Sequence, residues 1–139
     1  MIAVMGATGN TGRIISERLL EAGLEVRALG RSTERLAGLV DQGAEAVVGE
    51  AADASYLTAA FTGADAVYTL IPPSVVAEDY AGLQDHVGEA IVTAIVEHAR
   101  PGVAVRRIAG EDSYIPLGPA AQLVLPSEDD IVEGVRSMR

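Results

Sequence analysis

The 139-residue chain has no lysine, cysteine or tryptophan, and only one phenylalanine. The missing cysteines exclude disulfides, thiolate metal sites and cysteine nucleophiles. All ten basic side chains are therefore arginines, against twenty acids, for a formal net charge of −10. Such a balance repels a polyanionic backbone and argues against nucleic acid as a partner. No apolar run approaches the roughly 18 residues needed to span a bilayer, so no membrane association is expected. The first residues carry no basic region and the apolar run stops at Met5, unlike a secretory leader. A cytoplasmic location is expected. With four tyrosines as the other aromatics, the core must come from Val, Ile, Leu and Ala.

What is present is a regular alternation of periods. Met1–Met5 is a continuous apolar run, suited to a strand buried on both faces. Thr11–Ala22 has helical spacing and meets Gly23 as a stop. Strands are predicted at Glu25–Leu29, Ala44–Val48 and Ala64–Ile71, with helices at Thr33–Gln42 and from about Ser55 to Phe61. After Pro72-Pro73 a long helix is predicted over about Glu78–Arg100. A fifth strand is predicted at Val103–Ala109, a sixth at Ala121–Leu125 and a last helix over about Glu128–Met138. The order predicts an α/β, Rossmann-like, doubly wound fold, with a mostly parallel sheet of five to six strands and helices on both faces. The length suits a single domain, residues 1–139, in which 103–139 form an atypical C-terminal segment.

Residues 6–12 read GATGNTG, directly after the first strand and opening the first helix. That is where a dinucleotide site needs its glycines. Gly6 permits a tight turn, Gly9 admits a pyrophosphate close to the backbone, and Gly12 lets the helix pack close to the sheet. Free N–H groups at the helix start carry about half a positive charge toward an anion. Thr8, Asn10 and Thr11 add side-chain donors, and Arg13 is within reach of the phosphates.

The second strand ends Leu29-Gly30-Arg31-Ser32, with Arg31 nineteen residues after Gly12. A site for NAD places an acid near here to bond the ribose 2′-hydroxyl. No acid lies between Val26 and Thr33. Arg31, Ser32 and Arg35 offer guanidinium and hydroxyl donors suited to a 2′-phosphate, which favours NADP(H) over NAD(H). Glu34 is placed to pair with either arginine and blunt that field. Asp53 has two readings, a contact to the adenine amino group or a helix N-cap. Leu70, Ile71 and Pro72 end the fourth strand, beside the expected nicotinamide ribose or in ordinary strand core.

The segments GATGNTGR, LLEAGLEVRALGRS, GAEAVVGEAAD and GADAVYTLIPP occur in this order and register. Together they resemble NmrA-like proteins, an atypical branch of the short-chain dehydrogenase/reductases that includes NADPH:quinone reductases and redox-sensing regulators. The resemblance covers about residues 1–100. It implies NADP(H) bound by Gly6, Thr8, Gly9, Asn10, Thr11, Gly12 and Arg31. Members of that family are roughly twice as long, and 103–139 do not match their substrate-binding half, so the chain reads as an N-terminal half.

Ordinary short-chain dehydrogenases lower a tyrosine pKa with a lysine four residues on, and a chain without lysine cannot. Tyr80 and Tyr114 remain as candidates without a neighbouring cation. His86 and His98 are twelve apart on the long helix, which excludes a close metal pair, and no metal site is expected. No catalytic residue is therefore assigned. Three functions stay open: an NADPH-dependent oxidoreductase of quinone or carbonyl substrates, a non-catalytic dinucleotide-sensing module, and a truncated relic of the family. A homodimer through the long helix or the C-terminal segment is expected, because the face left by a missing half tends to find a partner.

Overall fold

Strand and helix alternate through the structure, a computed structural model that describes residues 1–69 and 80–104. The elements are β1 (Ile2–Met5), α1 (Asn10–Glu21), β2 (Val26–Gly30), α2 (Thr33–Val40), β3 (Glu45–Val48), α3 (Ala54–Phe61), β4 (Ala66–Tyr68) and α4 (Tyr80–His98). All four strands are parallel, in the order β3-β2-β1-β4. The chain winds outward from β1 to β3, then returns to β4 on the other side of β1. This reversal opens a crevice at the carboxyl ends of β1 and β4, where ligands of doubly wound sheets bind.

Alternation along the strands builds two cores. Val4, Val26 and Ala28 pack with Leu36 and Leu39 of α2, joined by Ile15, Leu19 and Leu20 of α1. On the opposite face, Ala3, Met5 and Leu29 meet Leu57, Ala60 and Phe61 of α3, with Ile91 and Ile95 of α4. Both faces of the sheet are thus covered, the condition under which parallel strands read as unbroken apolar runs. Among the described residues, no helix is long and apolar enough to cross a membrane.

Four strands form the sheet among the described residues, against the five to six expected. Only Val103 and Ala104 of the expected fifth strand are described, and they lie outside any strand. The remainder of that strand, the expected strand at Ala121–Leu125 and the helix at Glu128–Met138 fall outside the described residues.

Helix ends follow side-chain chemistry. Ser32 caps α2 by accepting the Arg35 N–H, and Asp53 caps α3 by accepting the N–H groups of Ser55 and Tyr56. Within α2, Gly38 is exposed and nothing lies within 4 Å of the position its Cβ would take. Gly38→Ala therefore removes unfolded-state freedom without a clash. Urea unfolding is expected to show a gain of about 0.5–1 kcal/mol. A loss would mean that the described helix is not the one populated in solution.

Candidate functional site

The switch point holds a cleft of about 380 Å³. Its floor is the glycine turn, and its rim is the carboxyl ends of β2, β3 and β4. Gly6 takes φ +72°, the left-handed conformation that glycine adopts without cost. The turn closes through the Gly9 N–H, which donates to the Gly6 carbonyl at 2.9 Å. A Cβ at Gly9 would stand 3.3 Å from that same carbonyl oxygen. At Gly12 a Cβ would fall 2.3 Å from the Gly6 oxygen and 2.8 Å from its carbonyl carbon. Gly12 is what allows α1 to start flush against the turn.

Gly9 is the N-cap of α1 and has no side chain to satisfy the first helical N–H groups. Among the described residues, the N–H groups of Asn10, Thr11 and Gly12 have no acceptor. They are the orphan donors of a helix start, and they open onto the cleft. The turn, with Gly6, Thr8, Gly9, Asn10, Thr11 and Gly12 in the lining, has the donor set of an anion cradle.

Positive charge comes from Arg31 and Arg35, which also line the cleft. Arg35 Nη2 donates to the Thr8 carbonyl at 3.0 Å. Arg31 has no ion-pair or hydrogen-bond partner among the described residues, and Glu34 pairs with neither arginine there. Other expected site residues are engaged elsewhere. The Arg13 guanidinium lies 3.6 Å from Glu17 one turn on and is absent from the lining, as are Ser32 and Asp53, whose side chains cap helices. Leu70, Ile71 and Pro72 lie outside the described residues, as does Tyr114.

The cleft also gathers residues that sequence reasoning passed over. Glu50 and Ala51 follow β3, Tyr68 ends β4, and Tyr56 comes from the first turn of α3. Tyr56 is buried against Gly49, where an added Cβ would sit 2.4 Å from the ring. Burial, helped by the Glu50 charge, pushes its phenol up to about 12. It stays a neutral donor at physiological pH and cannot serve as a base. Burial raises the Tyr68 phenol as well. Position could have flagged Glu50 and Tyr68, since both stand at carboxyl ends of strands. Tyr56 reaches the cleft only through the packing of α3.

A second groove, of about 330 Å³, runs between α3 and α4. It holds His86, Glu89, Glu97 and His98, but the two histidines are about 18 Å apart along the helix. The His98 ring lies 3.2 Å from Thr58 Oγ1, an α3–α4 contact. Convergent donors are found at the glycine cleft and not in this groove.

Known proteins align with this arrangement. A curated relative from Streptomyces griseus, a (4-alkanoyl-5-oxo-2,5-dihydrofuran-3-yl)methyl phosphate reductase, is 38% identical over 98 residues, covering 70% of this chain and 32% of its own. The chain thus spans about a third of the length of that relative. Among solved structures, Citrobacter sp. triphenylmethane reductase complexed with NADP(H) shares the fold at a TM-score of 0.61 and 22% identity, over 99% of this chain and 46% of that one. The NADPH-dependent quinone oxidoreductase of Escherichia coli, complexed with NADPH, gives a TM-score of 0.52 at 25% identity, over 71% of this chain and 35% of that one. The NmrA-like family model matches residues 1–102, from β1 to just past α4. By that match and by its sheet, turn and cleft, the chain belongs to the NmrA-like family.

Proposed function

We propose that the cleft binds NADP(H) and that the chain supplies the nucleotide-binding part of an NADPH-dependent reductase. The observation that carries this reading is the convergence on one cleft of three N–H groups and Arg31, all without a partner among the described residues. The pyrophosphate would lie on the N–H groups of Asn10, Thr11 and Gly12, where the helix dipole adds favourable charge. Its approach needs the bare backbone at Gly9. Arg31 would take the 2′-phosphate, with no acid at the end of β2 to repel it. The NADP(H) and NADPH complexes of the Citrobacter and E. coli reductases support the choice of cofactor.

A bound NADPH would supply hydride, and the protein's part is orientation and exclusion of water. Tyr56, neutral and wedged against Gly49, walls the cleft. Leu70, Ile71 and Pro72 are proposed for the nicotinamide-side ribose. Quinones and carbonyl compounds are the proposed acceptors, the first of them in line with the E. coli relative.

Titration with NAD+, NADH, NADP+ and NADPH, read as thermal stabilisation, tests the reading. A nucleotide at one hundred times its dissociation constant adds about 2.7 kcal/mol. NADP(H) is expected to stabilise at lower concentration than NAD(H). Arg31→Gln should weaken NADP(H) by about 10–100-fold and leave NAD(H) nearly unchanged, since it removes charge-assisted bonds to one phosphate. No stabilisation by any of the four would overturn the proposal.

A further inference from the structure

The phosphate turn is tied to the end of β2 by two contacts and to α2 by a third. The Ala7 N–H donates to the Leu29 carbonyl at 3.0 Å. The Thr8 methyl packs on Gly30, where an added Cβ would meet it at 3.1 Å. The third is the 3.0 Å bond from the Arg35 guanidinium to the Thr8 carbonyl. That carbonyl has no other donor among the described residues. The Thr8–Gly9 peptide is therefore gripped at both ends, its C=O by Arg35 and its N–H by the Gly6 carbonyl at 2.9 Å. Arg35 is itself held in place, because its backbone N–H donates to the Ser32 hydroxyl that caps α2.

The two arginines of the cleft are thus in different states. Arg31 has no partner among the described residues, whereas Arg35 is already committed to the turn. Swinging Arg35 onto a phosphate would exchange the fixed donor of the exposed Thr8 carbonyl for water and loosen the peptide that precedes the N–H groups of Asn10, Thr11 and Gly12. We infer that Arg35 is a positioning residue for the pyrophosphate turn and serves dinucleotides with or without a 2′-phosphate, while Arg31 alone discriminates between them. This division rests on the NADP(H) reading above.

Three probes separate the roles. NADP+ carries both the pyrophosphate and the 2′-phosphate, NAD+ lacks the 2′-phosphate, and 2′-AMP lacks the pyrophosphate. Arg35→Gln is expected to weaken NADP+ and NAD+ by one common factor, about fivefold to tenfold, with 2′-AMP within about twofold of wild type. Arg35→Lys, which keeps a donor and the charge, should recover part of that loss. Arg31→Gln should weaken NADP+ and 2′-AMP and spare NAD+. The unliganded melting temperature of Arg35→Gln should stay within about 2 °C of wild type, which separates a local effect on the turn from a general loss of stability. The inference is overturned if Arg35→Gln costs NADP+ and 2′-AMP while sparing NAD+, or if it changes none of the three. Wild-type protein that binds neither dinucleotide would instead remove the nucleotide reading itself.

Discussion

Replacing Gly12 with alanine is expected to lower the unfolding free energy by about 3 kcal/mol and the melting temperature by roughly 10 °C. The new methyl would meet Gly6 backbone atoms at 2.3 and 2.8 Å and the Ala7 Cα at 3.1 Å. All three are main-chain atoms of a turn, so no side chain can rotate away. Relief must come from moving α1 off the turn by about an ångström, which also unpacks Ile15 and Leu19 from the Val4–Leu36 core. The same displacement carries away the N–H groups of Asn10, Thr11 and Gly12. Stabilisation by NADP(H) should therefore disappear together with the stability. Urea unfolding with and without nucleotide reads both quantities on one sample. A Gly12→Ala protein with wild-type stability and wild-type nucleotide response would show that the turn does not hold the described geometry.

The parts legible in the sequence were those that depend on neighbours along the chain. The strand-helix alternation could be read because each helix stops at a glycine and each strand is a short, mainly apolar run, broken only by Arg27 in β2 and Glu45 in β3. Gly23, Gly43 and Gly63 all adopt positive φ just past helices or their last turns, the conformation that glycine tolerates best. The glycine turn could be read because its steric demands are local. Competing roles were harder. Ser32 and Asp53 suit a phosphate or adenine contact and a helix cap equally well, and both side chains accept from helix N–H groups in the structure. Arg13, expected near the phosphates, lies along α1 beside Glu17, because residues four apart on a helix are neighbours. Tyr56 gained its place, and Arg35 its bond to Thr8, only from tertiary packing. Nothing in the spacing of Thr8 and Arg35 announces a bond between a turn carbonyl and the first turn of α2.

Arg27→Met should cost about 3 kcal/mol of stability while leaving nucleotide affinity nearly intact, the reverse of a site variant. Arg27 lies near the start of the interior strand β2, at the amino-terminal end of the strands away from the cleft, and only 14% of its side chain is exposed. Its Nε donates to Glu45 at 2.9 Å across to β3. Its Nη1 donates to the carbonyls of Ala59, Ala60 and Thr62 at 3.0, 3.2 and 3.0 Å. These belong to the last turn and cap of α3, where carbonyls have no partner within the helix. The rest of that terminus is satisfied locally: the Thr58 carbonyl by Thr62, the Phe61 carbonyl by Ala64. Arg27 thus completes the C-terminus of α3 and places a positive charge where the helix dipole favours one. Methionine keeps the apolar stem but leaves the part-buried Ala60 carbonyl unpaired and the exposed Ala59 and Thr62 carbonyls to water. Lysine, with a point charge in place of a fork, should recover only part of the loss. The melting temperature of Arg27→Met is expected to fall by roughly 10 °C, with the NADP(H) dissociation constant within about threefold of wild type. A loss below about 1 kcal/mol would mean that water reaches the α3 carbonyls as well as the guanidinium does. A large loss of affinity would mean instead that the end of α3 and the Tyr56 wall of the cleft move as one unit.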